Sequence, residues 1–209
     1  MTDIDGFGLS DAIAGLDVSR ETLDALKLIV RELSDWRQKV NLIGPREVDH
    51  IWRRHIFDSL QLVPHLDLTK HVVDLGSGAG FPGLVIASLM GQPGGHVTMI
   101  ESVGKKCAFL RDVSEKASLP TTILNGRVER YGHIDADFIT ARAFAPLPKL
   151  LEYASSWLER GAVGVFPKGR KWQEELTQTA DYWTFKHEVI PSRSGDGVIL
   201  IVREARRVA

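Results

Sequence analysis

An α/β architecture follows from three features of the 209-residue chain: short apolar runs from His71 onward, helix-length segments between them, and a glycine-rich stretch directly after the first run. Together they imply a doubly wound, mostly parallel seven-stranded sheet with helices on both faces, an antiparallel C-terminal hairpin at one edge, and an N-terminal helical extension. Residues 1–65 are assigned to the extension and 66–209 to the sheet domain, the two forming a single compact unit.

From Ser19 to Val40, the residues Leu26, Ile29, Val30, Leu33, Trp36 and Val40 recur at three- and four-residue steps, which predicts an amphipathic helix capped by Ser19 and ended by Gly44-Pro45. A second helical pattern carries Val48, Ile51, Trp52, His55, Ile56, Leu60 and Val63 on one side. His71 to Leu75 then reads as a buried strand, Pro82 to Met90 as a helix, His96 to Glu101 as a strand and Lys105 to Ala117 as a helix. Thr121 to Asn125 and Asp137 to Ala141 are further strands, followed by a helix from Pro148 to Leu158 and a strand from Ala162 to Phe166. This alternation is that of βαβ crossovers. The chain ends differently: Phe185 to Ile190 and Val198 to Arg203 are separated only by Pro191 through Gly197, too short for a crossover helix, so these two strands pair antiparallel.

Composition narrows the classes of function. Hydrophobic residues make up 44% and charged residues 25%, ordinary for a soluble domain. The single cysteine, Cys107, excludes an internal disulfide framework and a cysteine zinc cluster, and no metal is expected. The longest apolar stretch, around Gly80 to Gly91, is interrupted by Pro82 and too short to span a membrane, and Met1 to Asp5 lacks the basic start and apolar run of a signal peptide. A cytoplasmic, monomeric protein without a membrane partner is the expectation. The formal net charge of -1 does not announce a nucleic-acid binder, so any such surface must be local. Residues 1–35 hold eight acidic and three basic side chains, whereas Trp36 to Leu60 carries Arg37, Lys39, Arg46, Arg53 and Arg54, and another basic cluster comprises Lys168, Arg170 and Lys171.

The segment Val72-Val73-Asp74-Leu75-Gly76-Ser77-Gly78-Ala79-Gly80-Phe81-Pro82-Gly83 turns a strand sharply into a helix. Glycines there let a ligand approach the backbone, and Glu101, 25 residues after Gly76 at the end of the next strand, is placed to accept hydrogen bonds from two ribose hydroxyls. Gly78, Gly80 and Gly83 also satisfy a dinucleotide pattern, which keeps a nicotinamide-dependent oxidoreductase open as an alternative. Asp74 argues against it. A carboxylate beside the loop repels a diphosphate but favours an ammonium, and S-adenosylmethionine (SAM) carries an ammonium and no phosphate.

Several further segments are more particular: Trp36-Arg37-Gln38-Lys39-Val40-Asn41-Leu42, Arg54-His55-Ile56-Phe57-Asp58-Ser59-Leu60, Glu101 through Lys106, Gly126-Arg127-Val128-Glu129 and Arg142-Ala143-Phe144-Ala145. With these, nearly the whole chain resembles the bacterial 16S ribosomal RNA guanine-N7 methyltransferase family, RsmG or glucose-inhibited division protein B. The resemblance implies a Rossmann-like SAM-dependent methyltransferase fold and methylation of N7 of a guanosine in 16S rRNA, with that RNA or the small ribosomal subunit as partner. It also implies cofactor contacts from Gly76 and Phe81, from Val128 and Glu129, and from Arg142, beside Asp74, Gly78 and Glu101 from the loop argument. The family often has threonine where this chain has Ile43.

Asn41, Arg54, His55 and Asp58 are candidates for shaping the substrate entrance, and Arg53, Arg54, Lys168, Arg170 and Lys171 for phosphate contacts. His55 shares an apolar helix face, so a hydrogen-bonded core role competes with a functional one. Methyl transfer is an in-line displacement in which positioning dominates, and guanine N7 offers a lone pair without a proton, so an obvious base is not required. The absence of an Asn/Asp-Pro-Pro-Tyr segment weakens exocyclic-amine methylation, and Cys107 between Lys106 and Ala108 reads as core and not as a thiolate nucleophile. A noncatalytic RNA-binding or ribosome-assembly protein is the remaining alternative.

Overall fold

The computed structural model describes residues 2–91 and 93–208, without the side chains of Pro45 and Arg46, so Arg46 of the basic segment and Met1 of the N-terminal reading lie outside the description. A seven-stranded sheet in the order β3-β2-β1-β4-β5-β7-β6 forms its centre. The strands are β1 (His71–Leu75), β2 (His96–Glu101), β3 (Thr121–Asn125), β4 (Phe138–Thr140), β5 (Val163–Lys168), β6 (Trp183–Pro191) and β7 (Val198–Arg207). The first five run parallel, with Val72 opposite Val97 on one side and Phe138 on the other. β7 is antiparallel to both β5 and β6, so the hairpin is added through its second strand. The order reverses between β1 and β4, which opens a crevice beyond their carboxyl ends, where ligands of such sheets bind.

Residue alternation along the strands builds two cores. Val72 and Val97 face a layer containing Leu26, Ile29 and Leu33 of α2 (Arg20–Trp36), α4 (Gly83–Ser88) and α5 (Gly104–Lys116). Val73, Leu75, Ile100 and Ile139 face the opposite layer, where α6 (Leu147–Leu158) supplies Leu150, Leu151, Ala154 and Trp157. Each fully buried Leu or Ile of α2 contributes about 1.5–3 kcal/mol of transfer free energy. The N-terminal helices therefore pack directly on the sheet domain through a shared core.

Ser19 caps α2 as expected, accepting from the Thr22 amide at 3.2 Å. The helix stops at Trp36 and does not continue to Val40. Its last turn closes when the Lys39 and Val40 amides both donate to the Trp36 carbonyl, and Val40 reaches the core from that turn. The second helical pattern is realised in pieces: a 3₁₀ segment at Pro45–His50, a π-helical turn at Trp52–Phe57 and α3 (Asp58–Leu60). Two short elements escaped the periodicity: α1 (Leu9–Ala12) and α7 (Trp172–Ala180), of which α7 buries only Thr179. β7 runs four residues beyond Arg203, through a bulge at which Glu204 adopts φ 55°. No described helix is long and apolar enough to cross a membrane.

Candidate functional site

The glycine loop follows β1 without a break. Gly76, Gly78 and Gly80 adopt φ of 64°, 55° and 86°, a region that L side chains rarely tolerate. Gly76 lies against the Phe144 ring, which a Cβ at that position would overlap, whereas a Cβ at Gly78 would meet only the Gly76 carbonyl oxygen, at 3.8 Å. The Glu101 side chain ties the ends of the first two strands together, its two carboxylate oxygens accepting from Gly78 N at 2.9 Å and Val103 N at 2.7 Å. Its backbone carbonyl accepts from the Gly126 amide at 3.0 Å, which adds the end of β3. Glu101 is thus already shaped as an acceptor at the crevice.

Asp74 lies on the α4 face of β1 and is fully buried. Its Oδ1 accepts from the Thr140 hydroxyl at 2.8 Å, while Oδ2 has no hydrogen-bond partner and sits under Gly83, where a Cβ would approach it to 2.9 Å. Burial pushes this carboxyl up to about 6, opposed by the Ser77 and Thr140 hydroxyls, the Gly83 amide and the Arg142 charge. An anionic group held here without a full set of partners fits a cationic ligand nearby and disfavours a diphosphate.

Arg142, just after β4, joins two segments that are distant in sequence. Its guanidinium donates to the Arg54 carbonyl at 2.6 Å and to Asp58 Oδ2 at 3.3 Å, and it also donates to His55 Nδ1. His55 is buried and stacks on Phe81 with ring centroids 4.9 Å apart, and Arg142 lies over the same Phe81 ring at 5.5 Å. Burial, reinforced by the charges of Arg142 and Arg54, lowers the His55 pKa to about 3, so the imidazole is neutral at physiological pH. Its Nε2 has no partner. A buried unpaired donor costs about 1–3 kcal/mol, a feature that calls for a functional explanation. On its far side Asp58 accepts from Ser194 Oγ at 2.7 Å, which draws the β6–β7 connection into the same cluster.

These groups border a cavity of about 520 Å³ beyond the ends of β4 and β5, lined by Arg54, His55, Asp58, Arg142, Arg170 and Ser194 among others. Arg54 and Arg170 are exposed at its wall, with Arg170 paired to Asp196 at 2.6 Å. Other expected phosphate contacts are placed differently. Arg53 pairs with Asp5 at 3.1 Å and lies over Phe7, away from the cavity. Lys168 is enclosed, donating to the Ala145 carbonyl at 3.1 Å and pairing with Glu175, which in turn accepts from Leu147 N. Asn41 and Lys171 are exposed and do not line the cavity.

Val128 packs in the core beneath β4, and the exposed Glu129 borders a separate hollow of about 290 Å³ with Lys149 and Tyr153. Asp3, Asp5 and His50 bring ligand atoms within 4.8 Å of one another, but the Asp3 carboxylate already accepts the Trp52 and Arg53 amides and Asp5 pairs with Arg53. Thr140, Ser194 and Glu175 escaped the sequence reading, since a lone hydroxyl or carboxylate at those positions carries no local pattern.

Comparison with known proteins identifies the family. The family model described as GidB, rRNA small subunit methyltransferase G, matches residues 22–195. A ribosomal RNA small subunit methyltransferase G from Hyphomonas neptunium is 60% identical over 196 residues, covering 93% of this chain and 94% of the relative. The protein of that name from Paramagnetospirillum magneticum is 43% identical over 202 residues, covering 96% and 97%. A SAM-dependent methyltransferase from Aquifex aeolicus superposes with a TM-score of 0.58 at 15% identity, covering 83% of this chain and 97% of that one, a likeness of fold. The chain belongs to the rRNA small subunit methyltransferase G family.

Proposed function

We propose that this protein transfers the methyl group of SAM to N7 of a guanosine in 16S rRNA, within the small ribosomal subunit or its precursor. The observation that carries the reading is the pair of carboxylates at the glycine loop: Glu101 clamping Gly78 at 2.9 Å, and Asp74 buried beneath it with Oδ2 unpartnered. Such a loop suits a ribose and an ammonium. When bound, SAM supplies an electrophilic methyl group on a sulfonium.

The chain's own residues then have distinct tasks. Glu101 holds the ribose hydroxyls, and Asp74, directly or through water, favours the ammonium. Gly76, Gly78 and Phe81 shape the loop surface, and Val128 and Glu129 border the adenine. Arg142 keeps the loop after β4 against the helical segment that carries Arg54 and His55. Arg54 and Arg170 meet phosphates at the cavity wall, and Asn41 and Lys171 extend that contact. N7 attack needs alignment and exclusion of water and no proton removal, which matches a site whose histidine is neutral and fully hydrogen-bonded on one side.

Isothermal titration calorimetry with SAM, S-adenosylhomocysteine and NAD tests the cofactor assignment. Heat with the first two ligands alone is expected, and a preference for NAD overturns it.

A further inference from the structure

The cavity of about 520 Å³ has a wall of mixed charge. Arg54 and Arg170 are exposed at it, and among the described residues three carboxylates line it: Glu47, Asp58 and Asp196. Two of them are engaged. Asp58 accepts from Ser194 Oγ at 2.7 Å and from Arg142 at 3.3 Å, and Asp196 pairs with Arg170 at 2.6 Å. Glu47 is held differently, in the first turn of the 3₁₀ segment Pro45–His50. Its Oε2 accepts from the Gly44 amide at 2.9 Å, and its own amide donates back to the Gly44 carbonyl at 2.9 Å. This capping box fixes the carboxylate by one oxygen. The side chain is half-buried; Oε1 accepts from no described group and, unlike His55 Nε2, is not a buried orphan. A preorganised acceptor is thereby left at the cavity wall.

We propose that this cavity receives the acceptor base and that Glu47 reads it as guanine, accepting from the N2 amino group and the N1–H of its Watson–Crick edge. The proposal rests on the methyl-transfer reading above. The edge that carries N1 and N2 lies across the purine from N7, so a grip there leaves the N7 lone pair free for the methyl group. A carboxylate offers acceptors only and complements those two donors. Adenine has no amino group at C2 and carries an acceptor at N1, which a carboxylate repels. Arg54 and Arg170 meet phosphates at the wall, so cations face the nucleotide backbone and an anion faces the guanine edge. No covalent bond forms at Glu47 and no proton is transferred to it.

Glu47→Gln separates this role from the capping box. Its amide oxygen still accepts from Gly44, which turns the NH2 group toward the cavity and sets a donor against the donors of guanine. NMR titrations of the protein loaded with S-adenosylhomocysteine measure the preference directly. The wild type should bind guanosine monophosphate about tenfold more tightly than inosine monophosphate, which lacks only the N2 amino group, and adenosine monophosphate more weakly still. In Glu47→Gln, guanosine monophosphate should bind no better than inosine monophosphate, with the melting temperature and the Kd for SAM unchanged. The same variant should raise KM for 16S rRNA by about tenfold. If Glu47→Gln keeps the guanosine preference while Glu47→Ala loses thermal stability, Glu47 is a helix cap alone and the proposal is overturned. A wild-type protein that binds the three nucleotides equally, or binds none of them, overturns it as well. Absence of methyl transfer by the wild-type protein is read separately and counts against the underlying function.

Discussion

Arg142 meets the Asp58 carboxylate at 3.3 Å, so the loop leaving β4 is fastened to a helical segment that precedes the whole sheet in sequence. Both side chains are mostly buried, 18% and 20% exposed, which removes much of the solvent screening that makes surface pairs weak. Arg142→Ala and Asp58→Ala should each lower methyl transfer at least tenfold. A double-mutant cycle on urea stability should give a coupling of about 1–3 kcal/mol. Independent, additive effects would show that the contact does not hold the loop.

Asp74 makes both folding and cofactor binding depend on pH. Its folded-state pKa of about 6 lies above the 3.8 of an ordinary aspartate, because burial disfavours the charge. The sign follows directly: its contribution to stability is fully present below pH 3.8 and is lost as pH rises through about 6. Asp74→Asn should therefore stabilise the ligand-free protein by about 1–3 kcal/mol near pH 8, measured by urea denaturation, and yet weaken SAM binding. In the wild type, SAM affinity should fall as pH drops below about 6, where the carboxyl becomes protonated. A flat calorimetric profile between pH 5 and pH 8 would contradict the role given to this carboxylate (about a tenfold loss per pH unit is the upper limit for one proton).

Gly76 combines a left-handed backbone with close approach to the Phe144 ring. Gly76→Ala should cost about 1–2 kcal/mol from the backbone alone, and more from the overlap with Phe144. Adding Phe144→Ala should recover part of the stability measured by thermal melting. No recovery in the double variant would place the entire cost in the backbone.

Lys168 and Glu175 form an enclosed pair that holds the loop after β4 through Ala145 and Leu147. Lys168→Ala should destabilise the fold by about 3 kcal/mol, and Lys168→Ala with Glu175→Ala by less, because the single change strands a buried charge. RNA affinity should keep its salt dependence in the double variant. By contrast, Arg170→Glu should reduce both affinity and its salt slope, as expected for an exposed phosphate contact.

The parallel sheet was legible because each of its strands is short, apolar and flanked by turn signals; His71–Leu75, His96–Glu101 and Thr121–Asn125 occupy the predicted positions. The glycine loop was legible for the same local reason. α7 was not, since Trp172–Ala180 buries only Thr179 and so has no apolar stripe to read. The second half of β7 was hidden by Glu204, Arg206 and Arg207, which alternate around the buried Ala205. At the site, the residue types were readable but their meeting was not. Arg142 lies 84 residues from Asp58 and 87 from His55, and only the crossover geometry brings them together. The same distance effect concealed that Arg53 turns toward Asp5 and that Lys168 is consumed by Glu175.

Mass spectrometry of nucleosides from 16S rRNA incubated with the purified protein and SAM, supplied both as free RNA and as small subunits, tests the functional assignment most directly. 7-Methylguanosine should appear in at least one of these substrates and be lost with Glu101→Ala. A methyl group on another atom, or none in either substrate, would contradict it.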